Sequence, residues 1–471
     1  MKILVFAKIC LAWNFLHITD IHWDPLYTDS NLANDYCHSS LFDNHYKGVK
    51  PYFGKIGSEC DSPTPLVNST FSFIAGLNQS IKAVFLTGDL ARHDRDSSIP
   101  RTSGEISDQI KTVINQISGS TNALLLPTIG NWDTYQIGYT FQRDYSRLFD
   151  IWKVLWSETQ QGQIFPTFMA GGYYSLDVKS VTVLSVNTID WFIDNKVLGD
   201  CHSNFEMSSH PGDIQFKWLH DTLASLKANN KSAVLIGHTY KSEPLYKSKC
   251  LATFTNIIGS FSNLIISQYY GHVNLDVTYL VTKKDKYEII PLRKQELLKS
   301  TKIKNIVGQF FTGPSIIPFS NPSFRLGTIK GHKLVKHVQY YADLDELNNN
   351  HKDGLPIASD QFYSPTCDTS EAYQLKSLDP KWWKVFLDTV HDQIEQYGYS
   401  AFLDTYRACE HSQKIPPEEN EKSKLVFSAD TLWAIIIVTS IIFLACVVVT
   451  YEYGRNLENQ SYSPIPESPE D

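Results

Sequence analysis

Six side chains able to hold a metal ion stand where apolar runs of this sequence stop. Phe15 to Thr19 ends in Asp20 and His22, Ala83 to Thr87 in Gly88-Asp89, and Leu124 to Ile129 in Gly130-Asn131. Ala233 to Ile236 ends in Gly237-His238, and Leu264 to Tyr270 in Gly271-His272. Short apolar runs of this kind read as buried strands. Open α/β sheets carry their chemistry at the carboxyl ends of strands, so five neighbouring strands would gather these side chains along one edge. Two aspartates, one asparagine and three histidines suffice for two divalent ions bridged by one carboxylate, the equipment of a hydrolase of phosphate esters or anhydrides. A lone histidine at a strand end is more often a satisfied structural residue. The fivefold recurrence carries the reading.

The elements that must position these residues alternate in α/β fashion. Periodicity predicts helices near residues 66–79, 103–117, 139–156, 212–228 and 380–397, with strands between them. Tyr173 to Val178 and Val181 to Val186 read as a hairpin. With 471 residues, 42% hydrophobic and 13% aromatic, the chain can bury one large core plus extensions. No repeat of 20 to 50 residues suggests a solenoid. A net charge of −8 is an unlikely field for attracting a polyanion, and no nucleic-acid partner is expected. One segment runs against it: residues 241–304 hold eleven Lys or Arg against five Asp or Glu, among them Lys247, Lys283, Lys284 and Lys286.

The chain has eight cysteines, two of which, Cys10 and Cys446, fall in apolar terminal segments. The other six, Cys37, Cys60, Cys201, Cys250, Cys367 and Cys409, are widely spaced with no Cys-x-x-Cys, which argues for three disulfides and a non-reducing compartment. Cys37 with Cys60 is the expected first pair. Sequons at Asn68, Asn78 and Asn230 fit that route. Residues 1–13 read as a weak signal segment interrupted by Lys8, 14–410 as the catalytic domain and 411–431 as a polar stalk containing Pro416-Pro417. Residues 432–451 carry no charge and are long enough to span a membrane, and 452–471 form a polar tail. The cysteines and sequons put the catalytic domain outside the cytosol.

The ordered motifs Asp-x-His, Gly-Asp, Gly-Asn-x-Asp, Gly-His and Gly-His-x-Asn resemble the calcineurin-like metallophosphoesterases. Thr87 to Asp94, Ile99 to Thr102 and Ser58 to Pro63 look like the endopolyphosphatase branch, which is related to acid sphingomyelinase-like phosphodiesterases. The resemblance covers roughly residues 14 to 410. It implies four layers, two mixed β-sheets face to face with helices outside. It also implies that Asp20 and His22 hold a first metal, that Asp89 bridges, and that Asn131, His238 and His272 hold a second. The ions could be Zn, Mn, Mg or Co.

Two positions depart from the family pattern. Many relatives read Gly-His-x-His where this chain has Asn274, a weaker ligand than imidazole that would suit Mg or Mn at the first site. Many carry a proton-donating histidine where this chain has Trp132, which donates no catalytic proton. His93, four residues after the bridging carboxylate, is the expected substitute, protonated in an acidic lumen at an ordinary pKa of about 6.5. Arg92 and Arg101 are the expected grips for phosphate. An inorganic phosphate leaves as a stable anion and needs a proton less than an alkoxide does, so losing one donor harms phosphoanhydride cleavage least. The expectation is a membrane-anchored endopolyphosphatase of a vacuole, lysosome-like, that cuts inorganic polyphosphate internally with two divalent ions. Alternatives are an acid sphingomyelinase-like phosphodiesterase of lipids or nucleotides, and a catalytically weak polyphosphate-binding protein. Oligomeric state is not legible.

Overall fold

The computed structural model describes residues 12–29, 35–39, 51–77, 79–240, 245–292, 305–373 and 375–397. The chain divides into two compact units, 1–414 and 415–471, and all described residues belong to the first. The expected stalk, spanning segment and tail lie outside the described residues, as do sequon Asn78, Cys409 and much of the basic segment. Among the described residues no helix is long and apolar enough to cross a membrane.

In chain order the first strands are β1 (Ala12–Ile18), β2 (Trp23–Asp24), β3 (Ser62–Pro63), β4 (Ile81–Leu86) and β5 (Leu124–Pro127). They are followed by β6 (Tyr174–Val178), β7 (Val181–Ser185), β8 (Ser232–Ile236), β9 (Ile265–Tyr270) and β10 (Val277–Lys283). The last are β11 (Tyr287–Pro291), β12 (Ile306–Thr312), β13 (Ser323–Lys330), β14 (Lys333–Tyr341) and β15 (Ser364–Asp368). Two mixed sheets result, one ordered β15-β14-β13-β1-β4-β5 and the other β11-β10-β12-β9-β8-β7-β6. The expected five strands therefore do not share one sheet: β1, β4 and β5 run parallel in the first, β8 and β9 in the second. Strand β1 begins at Ala12, two residues before the expected start of the domain at 14.

The sheets meet through aromatic side chains. Phe15 of β1 stacks on Phe85 of β4 at 4.5 Å and meets the edge of Tyr269 of β9 at 5.2 Å, while Phe311 of β12 meets His337 of β14 at 4.6 Å. Such pairs add about 0.5–1.5 kcal/mol beyond area burial. Helices α1 (Thr64–Gly76), α2 (Ser103–Ser120), α3 (Gln142–Trp152) and α4 (Glu158–Gly171) add Leu66, Ile110, Leu148 and Phe168 to the same core. A second core joins Leu184 and Leu235 to Phe216 and Leu219 of α5 (Pro211–Ala228) and Phe254 of α6 (Ser248–Ser260). Helix α2 starts where a capping box dictates, Thr102 accepting from the Glu105 N–H and Glu105 reaching back.

Cys37 pairs with Cys60 as expected, and Cys201 with Cys250. Cys367 is also disulfide-bonded. The first bridge closes the loop after β2, and His38 ties that loop inward by bonding Asp24 at 2.9 Å and Asp96 at 2.8 Å.

Candidate metal centre

All seven sequence-predicted ligands converge at the carboxyl ends of β1, β4, β5, β8 and β9. Five of the residues sit in left-handed backbone: Asp20 (φ 49°), His22 (43°), Asp89 (56°), His272 (73°) and Asn274 (57°). Non-glycine residues hold such conformations only where surroundings over-determine them, and they cluster at functional sites. The backbone supplies the determination. Asp20 N donates to Gly88 O at 3.0 Å, His22 N to Asp89 O at 3.0 Å, and Gly271 N to His238 O at 2.8 Å, so the strand ends brace each other. The turn glycines answer close approach: a Cβ at Gly130 would lie 2.1 Å from Asp89 N, and one at Gly271 1.9 Å from Thr19 Oγ1.

Asp20, His22, Asp89 and His238 each have one side-chain atom committed to the surrounding protein and one turned toward the cluster. Asp20 Oδ2 accepts from Thr19 Oγ1 at 2.5 Å and His272 N at 2.8 Å, leaving Oδ1 buried without a donor. Asp89 Oδ1 accepts from Trp132 N at 2.8 Å, while Oδ2 lies 3.5 Å from His22 Nε2 and 3.2 Å from His238 Nε2. His22 and His238 donate from Nδ1 to Ala91 O (3.1 Å) and Thr87 O (2.7 Å), so in the neutral ring that a cation requires, Nε2 of each is the free acceptor. Asn131 Oδ1 lies 2.8 Å from His238 Nε2 and 2.9 Å from His272 Nδ1. Asn274 Oδ1 is buried with no donor. A crowd of inward-facing acceptors fits cations. The donor set, all oxygen and imidazole nitrogen, suits divalent ions such as Mn, Zn or Mg.

The charges agree. Burial alone would raise the Asp89 pKa, but His238 and His22 outweigh it and hold the carboxyl well below the usual range. Burial opposes protonation of His238, yet Asp89 prevails and raises it to about 9. His272, buried and repelled by His238, is pushed down to about 4.

The structure brings His93 to the centre: its ring stacks on His22 with centroids 3.9 Å apart and meets Trp132 edge-on at 4.6 Å. Sequence reasoning missed its partner. Asp61 accepts from His93 N and His93 Nδ1, each at 2.6 Å, fixing the ring with Nε2 outward. Burial tends to raise Asp61, but His93 and His22 hold it at about 2. His93 itself does not keep its ordinary pKa: burial lowers it, and Asp61 only partly compensates. Also missed was Asp133, which accepts N–H groups from Asp89 and Leu90 at 2.8 Å and from Gly130 at 3.1 Å and so pins the bridging turn to the Asn131 turn. The signal was present in Gly-Asn-x-Asp, where an aspartate two residues past the ligand can cap its own turn.

Two expectations are corrected. Arg92 is no phosphate grip: it is fully buried, and its guanidinium bonds Glu105 at 2.6 Å, His93 O at 3.1 Å and Ile99 O at 2.9 Å. Arg101 does stand beside the site, over the Trp132 ring at 5.3 Å, with one amino group on Trp132 O and Arg92 O. Lys283, Lys284 and Lys286 line no groove there, because β10 starts next to the last ligand loop and carries them seven residues away, roughly 20 Å at about 3.3 Å per residue. Lys247 is buried.

No family model matches the chain. It is 32% identical over 286 residues to an endopolyphosphatase of Saccharomyces cerevisiae, covering 56% of this chain and 41% of the relative. An endopolyphosphatase of Schizosaccharomyces pombe is 26% identical over 397 residues, 75% of this chain and 67% of the relative. The cyclic GMP-AMP phosphodiesterase SMPDL3A of Rattus norvegicus is 26% identical over 392 residues, 78% of both. The chain thus spans about two fifths of the length of the first two endopolyphosphatases it matches. With its candidate ligand motifs in this order, the chain is similar to the fungal endopolyphosphatases and to this phosphodiesterase.

Proposed function

We propose that this chain is a two-metal hydrolase of phosphoanhydride bonds that cuts inorganic polyphosphate within the chain. The observation that carries the reading is the crowd of inward acceptors around Asp89 with Trp132 beside it, where a second proton donor would otherwise stand. Asp20, His22, Asp89 and Asn274 would hold one divalent ion, and Asp89, Asn131, His238 and His272 the other. Bound ions of this kind supply an activated water and neutralise charge on the phosphoryl group. The protein's own part is geometric. Asp61 holds His93 with Nε2 outward, so His93 can hand a proton to the leaving oxygen, and Arg101 on Trp132 can meet a neighbouring phosphate. The two sheets with their outer helices read as the four layers that the family resemblance implies.

The specific reading is supported by relatives that carry the name endopolyphosphatase. A second reading, a phosphodiesterase of nucleotides or lipids, draws on the relative SMPDL3A, which aligns over most of both chains. Digestion of long-chain polyphosphate and of a lipid or nucleotide diester side by side, with Zn, Mn, Mg and Co varied, separates them: faster turnover of the diester would favour the second.

The same reading places the domain in the lumen of a vacuole, held by residues 432–451. The disulfides support an oxidising compartment, and twenty uncharged residues support a span. Carbonate-washed membranes should retain the full chain and release an active one truncated after Lys422. Retention of the truncated chain would refute this anchor.

A further inference from the structure

The loop after β9 presents two ligands, His272 and Asn274, both in left-handed backbone. Its upstream end is braced by the Asp20 carboxylate, which accepts from His272 N at 2.8 Å. Its downstream end passes through Leu275 and Asp276 into β10. There Thr312 of β12 donates its hydroxyl to Leu275 O at 2.7 Å and accepts from Val277 N at 3.0 Å.

A second downstream tie comes from the other sheet. Arg325 lies on β13 directly opposite His17 of β1, the strand that ends in Asp20 and His22. It is 2% exposed, and its guanidinium crosses the inter-sheet core to bond the Asp276 carboxylate. Burial, with the Arg325 charge added, pushes the imidazoles of His17 and His337 well below their ordinary values. Those rings stay neutral, and Asp276 answers the Arg325 charge. The bond therefore joins the two strand systems that supply the first metal site: Asp20 and His22 from one, Asn274 from the other. A buried ion pair is often no more stabilising than a well-packed apolar pair of similar volume, because desolvation offsets the attraction. Packing alone gives little reason for this one.

We propose that Arg325 and Asp276 are positioning residues that set the last ligand loop and thereby the affinity of the metal site containing Asn274. The proposal rests on the ligand assignment above. An amide oxygen binds a divalent ion more weakly than imidazole, so this site depends more on geometry than its neighbour. Loss of outer contacts around a metal ligand typically lowers affinity 10- to 100-fold.

The test is metal binding, read as ions per chain and as the chelator concentration that strips each ion, with Co or Mn as the probe. Arg325→Met should weaken one of the two sites about 10- to 100-fold and leave the other unchanged. The double variant Arg325→Met/Asp276→Leu carries no unpaired buried charge, so it reports even if the single variant does not fold. It should melt near the wild type and still show the weakened site. Asn274→Ala should weaken that same site. Wild-type binding at both sites in the double variant, with Asn274→Ala weakened, would overturn the positioning role alone. Wild-type binding in Asn274→Ala would overturn the ligand assignment on which the proposal rests.

Discussion

Replacing Asp89 by asparagine should lower hydrolysis by at least about 10³-fold, some 4 kcal/mol of transition-state stabilisation, and reduce bound metal while the domain stays folded. Asp89 is the ligand whose carboxylate faces both imidazole groups, with Oδ2 within 3.5 Å of His22 and 3.2 Å of His238. Asparagine keeps the shape, tolerates the left-handed backbone at φ 56° and can still accept the Trp132 N–H. What it removes is the negative charge shared between two cations. Calorimetry, metal analysis and turnover on one preparation check this. Two ions per chain with near-normal turnover would refute a bridging role.

His93→Ala should separate substrates. A positioned general acid contributes roughly 10² to 10⁴-fold, so loss on a substrate with an alkoxide leaving group should fall in that range. On polyphosphate the loss should be smaller, because the departing phosphate is a stable anion. Asp61→Asn should follow His93→Ala in direction, since the bonds to Asp61 at 2.6 Å hold the ring. Equal losses on both substrate types would remove His93 from the leaving-group role.

The candidate ligands were legible as a cluster because each stands at a change in hydropathy, where a buried strand gives way to a turn. Helix α2 was legible in the periodicity of residues 103–117, and the β6–β7 hairpin in its β-rich runs. The division of the five ligand strands between two sheets was not, since an apolar run records burial and not its neighbour. The partnership of Asp61 with His93 was also hidden: the two are 32 residues apart and no local pattern links them. Arg92 misled for the opposite reason. A charged run reads as solvated, yet Glu105 and two carbonyls satisfy the guanidinium inside the protein. Helix α6 was missed although Cys250, Phe254, Ile257 and Ile258 line one face at helical spacing. The β-branched and aromatic content of that segment masked the period.

The most direct test is the product pattern from long-chain polyphosphate digested by the purified protein with a divalent metal and resolved on a gel. An open site between strand ends can bind the middle of a chain, so intermediate lengths should accumulate before orthophosphate does, and chelation should stop the reaction. Steady release of orthophosphate with no intermediates, or cleavage that survives removal of metal, would contradict internal two-metal hydrolysis.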